Sequence, residues 1–413
     1  MEQTGFTALE RAPRAELEAR WARCRRLMAE HFPGASGLLA FSRVNLYWLT
    51  GALANGLCWL PAEGEPVLLS RKGIERARLE SPVAHILPFR SYSNLAGLLA
   101  EAGSPLGEDV AVECSGLSWM LGQKLEQALS PRRLLPGDRI LALGRMVKTP
   151  WELAKLRLCG ERHHRCLHDL LPARIRPGMT EREISHACWE VFFSQGHSGQ
   201  LRMGAFGEEI FLGHVSAGDS GNYPSVFDGP LGLRGEHPAL PFMGYAGRVW
   251  KAGEPLACDV GFCLEGYQTD KTQVYFAGRE SEAPPDLDRA HRAAVAIQAR
   301  VAELAVPGAL PRDLWLAARA MAEKEGVAEG FMGLGGNKVA FVGHGIGLHI
   351  DEFPPLADKV ETPLEPGMAL AIEPKIGVPG RGMVGVENTF EVRAEGGAAC
   401  LTGDAYGMVC VAG

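Results

Sequence analysis

Nowhere in its 413 residues does the chain approach the roughly 18 consecutive apolar residues that a membrane-spanning helix needs. Its first twenty residues, MEQTGFTALERAPRAELEAR, also lack the apolar centre of a signal peptide. The expected setting is therefore cytoplasmic, with no membrane partner. Paired cysteines are missing too: the ten cysteines are scattered without a CxxC, and they read as reduced, buried small hydrophobes. A dense Lys/Arg stripe is absent, and 42 basic against 49 acidic residues give a formal charge of −7, so no nucleic-acid partner is expected. The longest basic cluster, Arg20 to Arg26, lies in a helical pattern and reads as a solvated face. Neither a GxGxxG nor a GxxxxGK[ST] nucleotide loop occurs, and no tract is of low complexity. What the chain has in quantity is apolar residues, at 46%, enough for two domain cores.

Residues 8–32 have the spacing of an amphipathic helix that ends near Pro33-Gly34. Short apolar runs follow at 37–41, 45–49, 56–60 and 66–70, alternating with helical patterns at 73–80, 92–102 and 116–129, as in an α/β layer. Thr149-Pro150-Trp151-Glu152 and Thr180 with Glu183 form capping boxes, and the first marks a domain boundary. The expected domains are 1–147 and 148–413. Helical patterns run over 151–171 and 181–195, then over 286–305 and 311–325. Residues 204–247, rich in Gly, Pro and Ser, lack long periodic runs. Their aromatic residues Phe206, Phe211, Tyr223, Phe227, Phe242 and Tyr245 favour an ordered loop region around a pocket.

The chemistry is concentrated in two strand-rich stretches. In Pro255–Gly278, two β-forming runs flank Leu264-Glu265-Gly266, and each carries one acid, Asp259 and Asp270. A turn centred on Leu264-Glu265 sets these acids directly opposite, with Cβ atoms roughly 4.5–5.5 Å apart. Like charges held so close need a cation between them. The stretch 367–392 repeats the device around a turn near Gly380, with Glu373 and Glu387 symmetric about it. Between the two stretches lies Gly343-His344-Gly345-Ile346-Gly347, whose glycines leave the imidazole unobstructed. Two hairpins with embedded acid pairs indicate an internally duplicated domain with one shared site. Four acids and one histidine form an oxygen-rich set suited to two divalent cations (Mn, Co, Fe or Zn) roughly 3.5–4 Å apart. The chemistry expected of such a set is metal-assisted hydrolysis.

These residues resemble the pita-bread metallopeptidase family, which includes prolidase, aminopeptidase P, methionine aminopeptidase and the metal-free creatinase. The matching elements are the Asp-x10-Asp spacing of Asp259 and Asp270, the GHGIG histidine His344, and the acids Glu373 and Glu387. NLYWLTG (45–51), RMVKTPWEL (145–153) and RPGMTEREI (176–184) extend the match over nearly the whole chain. The resemblance implies an α+β protein: a creatinase-type α/β N-terminal domain followed by a duplicated pita-bread catalytic domain, working as a homodimer on a small peptide. It implies that Asp259 chelates one metal, that His344 and Glu373 hold the other, and that Asp270 and Glu387 bridge. Glu373 is also implied as the proton shuttle.

Four positions depart from the family pattern. Phe242 stands where a histidine is usual in an ALPHG-like segment, and Asp351 stands where a second histidine follows GHGIG. Gly385 replaces an arginine, and Asn388 replaces an aspartate. His349, two residues before Asp351, is a candidate substitute imidazole. The sequence thus supports a dinuclear hydrolase of the Xaa-Pro peptidase type. An alternative is a relative with altered chemistry on a small non-peptide molecule, cationic if Asp351 and Phe242 contact it. The fold's relatives include an ectoine hydrolase and a metal-dependent lyase for dimethylsulfoniopropionate. A non-catalytic binding module is a third reading, against which the full ligand set argues.

Overall fold

The structure is a computed structural model that describes residues 10–412. The chain divides into two compact units, Met1–Arg145 and Met146–Gly413.

The first unit contains α1 (Arg14–His31), β1 (Gly37–Ala40), α2 (Arg43–Thr50), β2 (Asn55–Pro61), β3 (Val67–Lys72), α3 (Ile74–Glu80), β4 (His85–Pro88), α4 (Leu95–Glu101), β5 (Asp109–Val112), α5 (Trp119–Leu129), β6 (Arg133–Pro136) and all but the last residue of α6 (Asp138–Met146). Its six strands form one mixed sheet in the order β4-β3-β2-β1-β5-β6. Leu39, Leu57, Trp59, Val67, Leu69, Val110 and Val112 from the strands pack against Leu95, Leu99, Leu125 and Leu129 from the helices. Residues 8 and 9 of the expected first helix lie outside the described residues. The run 45–49 is helical rather than strand-like. Ser42 caps α2 by accepting the Asn45 N–H, and Gly51 ends it in the left-handed region at φ 76°. These cap residues overrule the β-forming look of Leu-Tyr-Trp-Leu.

The second unit contains α7 (Pro150–His164), α8 (Glu181–Ser194), β7 (Gly213–Ala217), β8 (Pro255–Leu264), β9 (Tyr267–Ala277), α9 (Pro285–Leu304), α10 (Pro311–Lys324), β10 (Gly343–Gly345), β11 (Ala369–Ile372), β12 (Lys375–Val378), β13 (Gly382–Gly385), β14 (Asn388–Glu391), β15 (Ala399–Cys400) and β16 (Val409–Val411). Both capping boxes form as the spacing predicts, Thr149 with Glu152 and Thr180 with Glu183. The order helix, helix, short strand, acid-bearing hairpin occurs twice. Strands β16-β9-β8-β7 make one sheet, β10-β11-β14-β15 another, and β12-β13 a separate ribbon. Two expectations change. Residues 204–247 are not all loop, because β7 pairs antiparallel with β8 inside them. The second hairpin is split, since Glu373 and Pro374 separate β11 from β12 and send the two strands into different sheets.

Seven of the ten cysteines are buried, and no disulfide occurs among the described residues. No helix of the described residues is long and apolar enough to cross a membrane.

Candidate metal centre and active site

The first hairpin sets one wall of the site, but not in the expected register. Its two-residue loop is Glu265-Gly266, with φ of 52° and 88°, so the turn centre lies one residue later than Leu264-Glu265. Asp259 is opposite Thr272, and Asp270 is opposite Gly261. The two acids are therefore diagonal neighbours. A two-residue offset keeps both on the same face of the sheet, so the convergence survives the corrected register. In the second stretch, β11–β14 and β12–β13 both follow the symmetry about Gly380, as in Ile372↔Asn388 and Lys375↔Gly385. Glu373 and Glu387 flank the break between the two ladders and face the first hairpin.

The acids converge on a cation that comes from the chain itself. Lys375 Nζ lies 3.1 Å from Asp259 Oδ2, 2.9 Å from Glu373 Oε2 and 2.7 Å from Glu387 Oε2. Thr272 Oγ1 sits 2.8 Å from Asp259 Oδ1 and 3.0 Å from Glu387 Oε2. That hydroxyl has one proton to give, so it donates to one carboxylate and is free to accept from the other only if the latter is protonated. Burial pushes Asp259 upward, but Lys375, with hydrogen bonds to Glu387 and Thr272, holds it at about 2. Burial and the Asp259 charge raise Asp270 to about 7, and burial with the Asp270 charge raises Glu387 well above the usual carboxylate range. Burial works against the Lys375 charge, yet its three carboxylates raise it well above the ordinary lysine value. The floor thus has an ionised acid on the Lys375 side and under-compensated acids on the other.

His344 serves that other side. Its Nδ1 lies 3.0 Å from the Gly345 carbonyl, and a proton there leaves Nε2 bare, 3.6 Å from Glu373 Oε1. Glu352 secures the loop after it by accepting the N–H groups of Leu348 and His349, both at 3.1 Å, and by pairing with buried Lys148 at 3.1 Å. Behind the floor, Lys271 donates to Asn388 Oδ1 at 2.7 Å, and Asn388 donates to Gln298 at 3.1 Å. The amide at 388 therefore serves a buried hydrogen-bond network with Lys271 and Gln298.

Above the floor is a cavity of about 410 Å³, and eight of its lining residues are acids: Glu208, Asp228, Asp259, Asp270, Asp351, Glu352, Glu373 and Glu387. Leu201, Ile210, Leu231 and Ile350 give it an apolar wall, and no Lys or Arg lines it. Asp351 stands at the rim, where Oδ1 accepts the Gly204 N–H. The structure does not bring Phe242 or His349 to this lining. Phe242 packs against the core cluster built on Trp250, Phe262 and Tyr275. His349 contributes its N–H to Glu352 and its carbonyl to Gly347, which orders the loop. Of the loop aromatics, Phe227 lines the cavity, while Phe206 is fully exposed.

Sequence reasoning missed two residues here, Lys375 and His214. His214 lies on β7 opposite Asp259 and lines the cavity, and its Nε2 is buried without a partner. Burial lowers its pKa to about 4, so the ring is neutral. Its signal is the Gly213-His214 pair, which sits in the first repeat as Gly343-His344 sits in the second.

Within the site, the donor set fits a divalent ion in one corner. Ligand atoms of Asp270, His344 and Glu387 all lie within 4.8 Å of one another. Among the described residues no such trio includes Asp259, where the ammonium holds the position between the carboxylates. A dication beside a fixed ammonium is repelled by roughly twice the ~4 kcal/mol of two unit charges about 4 Å apart at an effective dielectric of about 20.

Residues 20–147 match the Creatinase/Prolidase N-terminal domain, and residues 154–394, more than half the chain, match the Metallopeptidase family M24. The chain is 28% identical over 382 residues to a probable dipeptidase PepE of Mycobacterium bovis, covering 88% of this chain and 89% of that protein. It is 24% identical over 361 residues to an Xaa-Pro dipeptidase of Pyrococcus furiosus, covering 87% and 91%. The crystal structure of dipeptidase PepE from Mycobacterium ulcerans superposes with a TM-score of 0.76 at 26% identity, covering 98% of this chain and all of that one. The X-Pro aminopeptidase of Thermotoga maritima shares the fold, with a TM-score of 0.76 at 21% identity over 95% of this chain and 99% of that one. With a creatinase-type domain in front of a duplicated, pita-bread α+β unit, the chain belongs to metallopeptidase family M24 and is a metallohydrolase of the peptidase type.

Proposed function

We propose that the protein hydrolyses the amide bond of a short peptide or peptide-like molecule that presents a free amino group. The observation that carries this reading is a small cavity whose floor holds a ligand set and whose rim holds acids with no Lys or Arg in the lining. A volume of about 410 Å³ suits a dipeptide-sized molecule. The names of the relatives, dipeptidase and Xaa-Pro dipeptidase, support the same class of reaction.

Asp270, His344 and Glu387 would hold a divalent ion, which would supply Lewis acidity and make water a better nucleophile near neutral pH. The chain's own groups do the rest. Lys375 anchors Glu373 through Oε2, which leaves Oε1 turned toward His344 as a positioned proton acceptor. Neutral His214 offers its unpartnered Nε2 to the substrate. Glu208, Asp228 and Asp351 bind the substrate ammonium, and the apolar wall excludes water from the side chain next to the scissile bond. The homodimer implied by the resemblance and the cytoplasmic setting expected from the sequence belong to this reading, and light scattering on the purified chain tests the first.

A second reading, a small cationic amide in place of a peptide, is favoured by the lack of a lining Lys or Arg to receive a substrate carboxylate. A metal-reloaded enzyme assayed on Xaa-Pro dipeptides, their C-terminal amides and their N-acetyl forms separates the two. Turnover that needs metal and drops about 10-fold or more on N-acetylation is expected. Full metal content with no turnover of any peptide would remove the peptidase reading and leave the second.

A further inference from the structure

Lys375 is placed as firmly as a ligand. It begins β12, pairs with Gly385 on β13, and its carbonyl accepts the Met332 N–H at 2.9 Å. Its stem occupies space that a side chain at 385 would contest: a Cβ built there would lie 2.7 Å from Lys375 Cα and 3.2 Å from its Cγ. The side chain is 1% exposed. Its ammonium donates to Glu373 at 2.9 Å and to Glu387 at 2.7 Å, and it forms an ion pair with Asp259 at 3.1 Å.

Four carboxylates around one ammonium still carry excess negative charge, and the excess lies on the far side. Asp270 is the acid that Lys375 does not bind, and it shares a corner with His344 and Glu387. Glu373 spans both sides, with Oε2 on the ammonium and Oε1 toward His344.

We propose that Lys375 is a built-in cation that takes the place of one of two divalent ions, so that the protein binds a single ion, at Asp270, His344 and Glu387. The acid crowding that calls for two dications is thus relieved by one dication and one ammonium. The inference rests on the metal-dependent reading above only in assuming that the remaining corner takes an ion. It says nothing about which substrate is cleaved.

The test is a metal count made without substrate. The full chain, stripped with a chelator, is titrated with Mn²⁺ by calorimetry, and ions per chain are measured by mass spectrometry after desalting. The electron paramagnetic resonance spectrum is recorded on the same samples. The wild-type protein should bind one ion per chain and give the six-line spectrum of isolated Mn²⁺. Lys375→Gly should bind a second ion and give the broadened, exchange-coupled spectrum of a pair. Two ions or a coupled spectrum in the wild-type protein would overturn the proposal, as would no ion at all. A folded Lys375→Gly that still binds one ion would overturn the claim of replacement. If Lys375→Gly fails to fold, the wild-type count and spectrum decide alone. One bound ion with no peptide turnover would leave this inference standing and count against the peptidase reading, so the two fail separately.

Discussion

The floor and the rim of the cavity are both acidic, yet only the floor carries its own cation. At the floor, Glu373 and Glu387 are buried, Asp259 is 15% exposed, and all three are tied to Lys375. At the rim, Glu208 and Asp351 are half-buried, Asp228 is exposed, and among the described residues none of the three has an ion pair with Lys or Arg. Burial, together with the charges of Asp351 and Asp228, raises the Glu208 pKa. The difference separates two kinds of acidic cluster. Inside the protein, charge must be balanced before folding is tolerable, and the chain supplies part of that balance itself. At the mouth, water moderates the repulsion and the balancing cation can arrive with the substrate.

Removing Lys375 breaks the comparison most severely. Lys375→Met in chelator-stripped protein leaves the floor acids without their ammonium, and breaking a buried pair typically costs about 3–5 kcal/mol. The denaturation midpoint should fall accordingly, and divalent cation should restore part of the loss. If the midpoint stays within error of wild type, Lys375 does not balance the floor.

The comparison also assumes that an uncompensated buried charge destabilises this protein, and His197 tests that away from any metal ligand. Burial lowers its pKa from 6.5 to about 4, and its Nδ1 accepts the Cys263 N–H at 3.0 Å. Between about pH 6.5 and 4 the unfolded chain takes up a proton that the folded chain refuses. Stability therefore falls as pH falls through that window, by about 2–3 kcal/mol from this one group. His197→Asn keeps an acceptor for Cys263 and should flatten the curve by up to one proton. His163, which burial also lowers well below its ordinary value, keeps part of the slope in both proteins. Identical slopes would show that His197 is not held neutral.

Between floor and rim stands His214. Its loss should lower kcat/KM by about 10- to 100-fold, the value of one hydrogen bond to a group gaining charge. His214→Ala should do so with bound metal unchanged. Loss of metal instead would make His214 a ligand and move it to the floor side of the comparison.

His214 and Lys375 also show where the sequence stops being legible. Asp259, Asp270, His344, Glu373 and Glu387 can be found from spacing, because acids and a Gly-flanked histidine embedded in apolar strands are costly unless a cation compensates them. The register of the second hairpin can be read as well, since Gly380 fixes a symmetric centre. In the first hairpin the error is one residue at the turn: Glu265-Gly266 satisfies a two-residue loop better than Leu264-Glu265, because Gly tolerates positive φ and Leu does not. Lys375 stays hidden for a different reason. A lysine between Pro374 and Ile376 reads as an edge residue pointing to water, and only three-dimensional packing shows that its stem has room beside Gly385. His214 hides in a stretch whose Gly and Pro content masks a five-residue strand. The helix over 43–50 can be read from Ser42 and Gly51 once caps are weighed above the β-forming run.

The smallest effect belongs to the rim. Asp351 is half-buried and accepts one backbone N–H, so a neutral replacement that keeps the shape should leave the fold intact. Asp351→Asn removes one negative charge facing the cavity while the floor, its ligands and Lys375 stay in place. For a substrate with a free ammonium, KM should rise about 3- to 10-fold with little change in kcat, which corresponds to about 1 kcal/mol for a partly solvated charge pair. The difference between wild type and variant should shrink as salt is raised from about 0.05 to 0.5 M, because exposed charges are screened within a few ångströms at that strength. N-acetylated substrate should show no such difference. An equal fall in kcat for charged and acetylated substrates would mean that Asp351 acts on the reacting groups. The rim would then belong to the same electrostatic unit as the floor, and the division between them would not hold.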